Sequence, residues 1–502
     1  MIRRLALAAV ALTLLVLALG AGGLYWLLAG DGVRQALERQ ASAWLGEPVA
    51  IGEAGARLFP RIGIQLRDVR IGEPVRLTLA SASLSTELMA LLGRRVENAD
   101  LEVADSRIEF PLPSGRASGG GAAAGETDSG PGLQVVSVRS IALRDIRIVN
   151  RGRELLVSAD SRFDAGTLAI GSFSAQSGQT SLEAEGLVQM TPRIDARLRV
   201  TANRLDVDEL LALAQAFAPP AAPGQPGAAA GLPGRIAARV SAEAASAGGV
   251  DVSQLATDFE IDGANVALSP ISFQLFGGRY QGAINARLGD VMTASIRSRL
   301  MDLDVAQIAA FGGSPDTVTG KLTGAGTFSG EGADLAQVLA SARGQGTAEI
   351  VDGSIRNMNL IRTVVLFFGR PAPDAEAGTD RFTRIDAKFS LADQRVHAEA
   401  LSLHSDDADI VGEGSLHTQS KALDGRFDLS LSEELSSQAG TDLMRYTREG
   451  NRVVLPAQLG GSLAAPRLTI DRNAALKRGL RNEVDRRLKG LLDRFGRPPS
   501  EP

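Results

Sequence analysis

The chain has 502 residues, with 53 basic and 58 acidic side chains, and a net charge of −5, a balance that excludes a broad nucleic-acid footprint. It has no cysteine, so disulfides, thiolate nucleophiles and cysteine-ligated metals are excluded as well. The length admits two to four ordinary domains, or one elongated repetitive one.

Arg3 and Arg4 precede residues 5–28, an uncharged stretch through Leu14 and Leu15 broken only by Thr13, Gly20, Gly22 and Gly23. A bilayer core takes roughly 20 apolar residues, and a cleavable signal has an apolar region of only about 7 to 15. The stretch therefore predicts a transmembrane anchor. The two arginines are expected on the cytoplasmic side, and Tyr25 and Trp26 at the far interface. Everything after Gly30 is then expected outside the cytoplasm. Val33, Ala36, Leu37 and Trp44, spaced among Arg34, Glu38 and Arg39, predict a short helix over 33–45, stopped by Gly46 and Pro48.

Beyond Pro48 the dominant period is two, which marks strands with one buried and one wet face. Ile62, Ile64 and Leu66 alternate with charged or polar residues, and Val69 and Ile71 follow after a shift of one. The clearest strand sets Ile194, Ala196, Leu198, Val200 and Ala202 against Arg193, Asp195, Arg197, Arg199 and Thr201. The pattern recurs at Tyr280, Ile284, Ala286 and Leu288, and at Ala294, Ile296 and Leu300. Further copies are Ile385, Ala387, Phe389 and Leu391, then Phe427, Leu429 and Leu431. Glycine-rich turns between them, with few long helical windows, predict a mainly β chain of antiparallel meanders. Two segments, 114–132 and 218–234, are too rich in Gly, Ala, Ser and Pro to order themselves and are expected to be linkers. Aromatics make up only 4% of the chain, so the oily faces are aliphatic, which argues against stacking of sugars or bases.

Two helices are expected to interrupt the sheet. One spans 334–343. The other, over 473–495, is amphipathic, with Leu476, Leu480, Val484, Leu488, Leu491, Leu492 and Phe495 on one stripe. Its basic residues, among them Lys477, Arg478, Arg481, Arg486, Arg487, Lys489 and Arg494, outnumber Glu483, Asp485 and Asp493. That suits an anionic membrane surface or an acidic partner. The same pattern also suits a helix that caps the sheet and leaves its basic side in water.

The three histidines, His397, His404 and His417, lie near Asp406, Asp407, Asp409 and Glu413 but show no compact ligand spacing. Gly324, Gly326 and Gly330 before a helix lack a phosphate-loop ending, so strand glycines and an Asp N-cap explain them better. No nucleophile elbow is present. No enzyme, metal or cofactor is expected.

The order of features resembles the AsmA family of envelope proteins, relatives of the bridge-like lipid carriers. Trp44-Leu45-Gly46-Glu47-Pro48-Val49, leading through Leu58-Phe59-Pro60 to Ile64-Gln65-Leu66-Arg67-Asp68-Val69-Arg70-Ile71-Gly72, looks like the family's opening domain. Gly278-Arg279-Tyr280-Gln281-Gly282, the run from Leu322-Thr323-Gly324-Ala325-Gly326 to Arg343-Gly344, Val351-Asp352-Gly353-Ser354-Ile355 and Gly412-Glu413-Gly414-Ser415-Leu416 resemble its C-terminal sheet. The resemblance implies an elongated, bent antiparallel sheet forming an apolar groove, β-taco-like, that guides phospholipid acyl chains through the periplasm. It divides the chain into an anchor (1–30), an N-terminal β domain (31–113), a linker (114–132), a middle β segment (133–217), a second linker (218–234), a C-terminal β domain (235–471) and a basic amphipathic helix and tail (472–502).

The expected function is that of an inner-membrane-anchored periplasmic lipid-binding protein in phospholipid transport and outer-membrane homeostasis; the alternative is an assembly factor for outer-membrane proteins. Expected partners are phospholipid acyl chains, the inner membrane and other envelope proteins, with no nucleic acid. The candidate groove residues are Ile194, Leu198, Val200, Ile284, Leu288, Ile296, Leu300, Phe389 and Leu429. The candidate membrane or partner contacts are Leu480, Arg481, Arg486, Arg487 and Leu488. Alternation alone leaves open whether the oily faces line a groove or fill one another across a sandwich.

Overall fold

A computed structural model describes residues 30–57, 61–87, 95–110, 134–135, 137–217, 234–356, 379–438, 447–471 and, in the tail, 473–475, 477, 478, 480 and 484. The chain separates into two compact units, Met1–Leu268 and Ser269–Pro502. Among the described residues no helix is long and apolar enough to cross a membrane. The expected anchor, with Arg3, Arg4, Leu14, Leu15, Tyr25 and Trp26, lies outside them, as do most residues of both expected linkers.

The first unit opens with helix α1 (Gly30–Leu45) against strand β1 (Val49–Arg57). Helix side chains serve the outer edge of that strand. Glu38 accepts from the Ile51 N–H at 2.8 Å, Ser42 Oγ from the Val49 N–H at 2.9 Å, and Arg34 donates to the Ile51 carbonyl at 3.2 Å. Next come β2 (Ile62–Ile71), β3 (Leu77–Thr86), β4 (Arg95–Val96), β5 (Ala99–Ala104), β6 (Arg107–Glu109), β7 (Gln134–Val135) and β8 (Ser137–Asn150). They are followed by β9 (Arg153–Asp164), β10 (Thr167–Ser177), β11 (Thr180–Gln189), β12 (Ile194–Asp206), helix α2 (Val207–Phe217), β13 (Gly234–Ala247) and β14 (Val250–Asp262).

Pairing runs β1–β2–β3, then through β5 and β6 to β8, and on through β9, β10, β11, β12 and β13 to β14. The sheet is mixed, which corrects the expectation of an antiparallel one. β5 and β6 pair with β8 in parallel, and β12 pairs with β13 in parallel. The physical reason lies in the two low-complexity segments. A parallel neighbour needs a crossover of a dozen or more residues, and the connections before β8 and β13 contain 114–132 and 218–233.

The shift in alternation read at Val69 falls at Asp68, without a break in register. A Cβ on Gly52 would stand 2.8 Å from the Asp68 Cβ, so only glycine fits opposite. The core of this unit gathers Ile51, Leu66, Val69, Leu79, Leu101 and Val103 under the first strands.

The division between the units falls inside β15 (Asn265–Leu275). The second unit contains β16 (Gly278–Arg287), β17 (Met292–Asp304), α3 (Val305–Phe311), β18 (Val318–Gly332), α4 (Leu335–Ala340), β19 (Arg343–Arg356), β20 (Thr379–Ala392) and β21 (Arg395–His404). It continues with β22 (Ala408–His417), β23 (Leu423–Leu431), α5 (Glu433–Gln438), β24 (Arg448–Glu449), β25 (Arg452–Ser462) and β26 (Ala465–Ile470). From β16 to β23 each strand pairs antiparallel with the next, and β25 and β26 complete the row.

Asp334 caps α4 as expected, its Oδ1 accepting from the Gln337 N–H at 2.8 Å. The helix stops at Ala340, because Arg343 already belongs to β19. Helices α2, α3 and α5 were not expected. The packed core lies at the C-terminal end, where Ile410, Phe427, Leu429, Leu431, Val453 and Leu455 are buried together.

Candidate functional site

One face of each unit's sheet is built from the alternating apolar residues. In the first unit, register sets Ile170 beside Gly186, then Leu198, Ala238 and Phe259. The adjacent row is Phe173, Ala184, Val200, Val240 and Thr257. In the second unit Ile284, Ile296, Phe328, Gly344, Leu391 and Val396 form one row, and Tyr280, Leu300, Gly324, Ala348, Ala387 and Leu401 another. Period-two alternation and correct register together keep all of these on one side.

How far this face is covered varies along the second unit. From Tyr280 to Ala286, Met292 to Leu300, Leu322 to Gly332, Gly344 to Ile350 and Ile385 to Leu391, its residues are half-exposed and none is buried. Towards β23 and β25 the same face is closed by the chain's own side chains, and Leu429 is 0% exposed.

Of the expected lining residues, Ile194, Leu198 and Val200 lie half-buried on one strand of the first unit. In the second unit Ile284, Ile296, Leu300 and Phe389 are half-buried on the shared face, and Leu288 follows the end of β16, also half-buried. Leu429 is a core residue, packed with Leu455 opposite. Phe328 joins this surface unannounced. Its signal was the in-phase run Gly324, Gly326, Phe328, Gly330, where each alternate residue lacks a bulky side chain and the ring fills the gap.

Rings lie over glycines on this face. A Cβ on Gly346 would meet the Phe389 Cζ at 2.8 Å, and one on Gly412 would meet the Phe427 Cδ1 at 2.7 Å. Phe328 and Phe389 stack with centroids 6.4 Å apart, and Phe273 and Tyr280 at 4.5 Å. The Tyr280 hydroxyl is satisfied by Ser298 Oγ at 2.9 Å, which leaves the surroundings apolar without an orphaned polar group.

The opposite face is charged and internally paired. Arg199 meets Glu185 at 2.8 Å, Arg239 meets Asp258 at 3.0 Å and Arg235 meets Glu260 at 2.8 Å, all across neighbouring strands. In the second unit Arg384 contacts both Glu349, at 3.0 Å, and Asp386, at 2.7 Å. The hydrogen bond from Arg384 holds the Asp386 carboxyl below the usual range.

The histidines sit on this polar side or at its turns. His404 Nδ1 lies 2.9 Å from Asp409 Oδ1, while Arg452 engages the other carboxylate oxygen. Burial, the largest single influence on Asp409, pushes its pKa up. The hydrogen bonds from Arg452 and His404 outweigh it and hold the group below the usual value. His417 Nδ1 accepts from the Ser420 N–H at 3.3 Å, and His397, opposite Ser390 and Ser415, is exposed. Among the described residues no three His, Asp or Glu side chains converge as a metal site.

The expected C-terminal contacts divide. Leu480 is described and 68% exposed; Arg481, Arg486, Arg487 and Leu488 lie outside the described residues.

No family model and no solved structure matches the chain. The chain is 22% identical over 258 residues to Protein AsmA of Escherichia coli (strain K12), a stretch covering 49% of this chain and 40% of that protein. It thus matches about two fifths of the length of the curated relative.

Proposed function

From an AsmA-like relationship over about half the chain, we propose an envelope protein that binds lipid on its apolar sheet face, without enzymatic activity, and takes part in phospholipid transport and outer-membrane upkeep. Residues 5–28 hold it in the inner membrane, with the bulk of the chain in the periplasm. The observation that carries the reading is the half-exposed stretch of apolar face in β16 to β20 where Ile284, Ile296, Leu300 and Phe389 stand in adjoining rows, short of the buried Leu303 and Phe382. Leaving such a surface in water is costly. A hydrocarbon guest removes that cost, and each CH2 it shields from water contributes about 0.8 kcal/mol. The low aromatic content suits a flexible aliphatic guest rather than a planar one.

The test places a photoreactive residue in the full-length chain, in native membranes, at Ile284 or Leu300 on the apolar face and at Arg297 on the charged one. Phospholipid adducts at the first two and not at the third are expected by mass spectrometry. Adducts spread evenly over both faces, or none at all, reject the reading. Capture of outer-membrane barrel precursors in place of lipid favours the assembly-factor role instead.

A further inference from the structure

On its charged face the second unit departs from the arginine–carboxylate pairing that runs across β11 to β14. Arg297 stands on β17 between Ala283 and Thr327, and Arg299 between Gln281 and Ala325. Neither has an acidic cross-strand neighbour, and among the described residues neither has a hydrogen bond or an ion pair. On the far side of β18, Arg343 stands opposite Ser329. Its acidic contact is Glu331, at 4.0 Å, with both side chains more than half exposed.

Register sets these arginines around a floor of short polar side chains. Ser295 faces Ser329, which faces Arg343, and Arg297 faces Thr327, which faces Gln345. These six residues line one hollow of about 530 Å³, and no carboxylate lines it. Neighbouring strands lie about 4.8 Å apart, so Arg297 on β17 and Arg343 on β19 rise roughly 10 Å apart, on either side of Thr327 and Ser329.

Charge and shape together select the occupant. Two guanidiniums with hydroxyls between them, and no acid among the lining side chains, call for an anion that accepts from several directions at once. A carboxylate offers two oxygens in one plane, enough for one guanidinium fork. A phosphate group carries oxygens on all sides, so it accepts from both forks and from the Ser295, Thr327 and Ser329 hydroxyls beneath. A folded acidic surface does not reach a floor recessed between two long side chains. Phe328 borders the hollow, but its ring lies on the apolar face over Gly326 and beside Phe389, so a nucleic-acid base finds nothing to stack on.

We propose that this hollow binds a phosphate-bearing anion, held between Arg297 and Arg343 above Thr327 and Ser329. The site lies on the face opposite Ile284 and Leu300 and stands independently of lipid binding there.

The test uses the full-length chain in dodecyl maltoside, a detergent without phosphorus, at an ionic strength held constant with sodium chloride. Phosphorus-31 NMR follows titration with inorganic phosphate and, separately, with glycerophosphoglycerol, a lipid headgroup without its acyl chains. Saturable line broadening is expected with at least one of them. Tighter binding of glycerophosphoglycerol assigns the anion to a lipid, and tighter binding of inorganic phosphate assigns it to a free ion; either result supports the site. Arg297→Gln and Arg343→Gln should each weaken binding about tenfold. Arg279→Gln, on the same face outside the hollow, and Arg239→Gln, paired with Asp258 in the first unit, should leave it unchanged. All four side chains are exposed, so the variants should keep the wild-type melting temperature. Absence of saturable binding with both ligands overturns the proposal. So does an equal loss in all four variants, which would mark a diffuse positive field in place of a site.

Discussion

Leu429 and Ile284 occupy equivalent faces of the same sheet and differ in what covers them. Leu429 is fully enclosed by protein, so Leu429→Ala should cost about 2–5 kcal/mol. Ile284 is half-exposed, and Ile284→Ala should cost about 1 kcal/mol. Denaturant unfolding of the two variants measures the difference, and equal losses would mean that the face is as closed at β16 as at β23. Glycines beneath rings behave differently again. At Gly412 an added Cβ would lie 2.2 Å from the Arg426 carbonyl oxygen as well as against Phe427. Gly412→Val should therefore lower stability by about 1–3 kcal/mol through overpacking, read as a fall in melting temperature.

Asp409 gives a pH dependence of definite sign. Its folded pKa is depressed, so its contribution is present above the unfolded value, near about 3.9, and is lost as pH falls through the folded value. The melting temperature of the wild type should drop more steeply than that of Asp409→Asn below about pH 4, and the two curves should converge. Parallel curves would show that the contacts with Arg452 and His404 contribute nothing.

Among the elements, the strands were legible because each has one oily side, and their period survives in the chain even where the partner strand is remote. The slip at Val69 was legible as well, and it falls at Asp68, whose φ is 51°. A positive-φ aspartate recurs, there with a true bulge, without having been read. Asp145 and Asp302 also take positive φ where the register of β8 with β9, and of β17 with β18, shifts. Aspartate tolerates the left-handed region better than most residues, so an aspartate that interrupts alternation was the available signal. Helix α2 was hidden by the Pro- and Ala-rich run that follows it, although Asp206 and Glu209 mark its start, the Asp206 Oδ1 accepting from the Glu209 N–H at 3.0 Å. Parallel pairing left no local mark. It depends on where a long connection returns, and composition does not record that. Likewise the tail's periodicity revealed two sides but not which one would meet the sheet; that was decided by Asp428 and Glu449, distant in sequence from Arg478, which they bind.

For the molecule as a whole, the motif order pointed to AsmA, and the match to that protein over 49% of the chain agrees with it. Where alternation left an open lining or a plugged core undecided, the second unit's face varies in exposure. It is half-exposed over 280–286, 292–300 and 385–391, and closed by protein at Leu303, at Phe382 and around Leu429 and Leu455. A hydrocarbon probe should therefore protect the photoreactive Ile284 position from aqueous quencher while leaving Leu429 unaffected, because water never reaches it.

The contacts that α1 makes along β1 bear on how the molecule behaves in a crowd. A bare sheet margin invites another chain to pair with it, yet here Glu38 and Ser42 already occupy the amides of Ile51 and Val49. That margin is stoppered. Removing the stopper with Glu38→Ala should turn a well-behaved preparation into one whose light scattering climbs with concentration, while the unaltered chain stays dispersed.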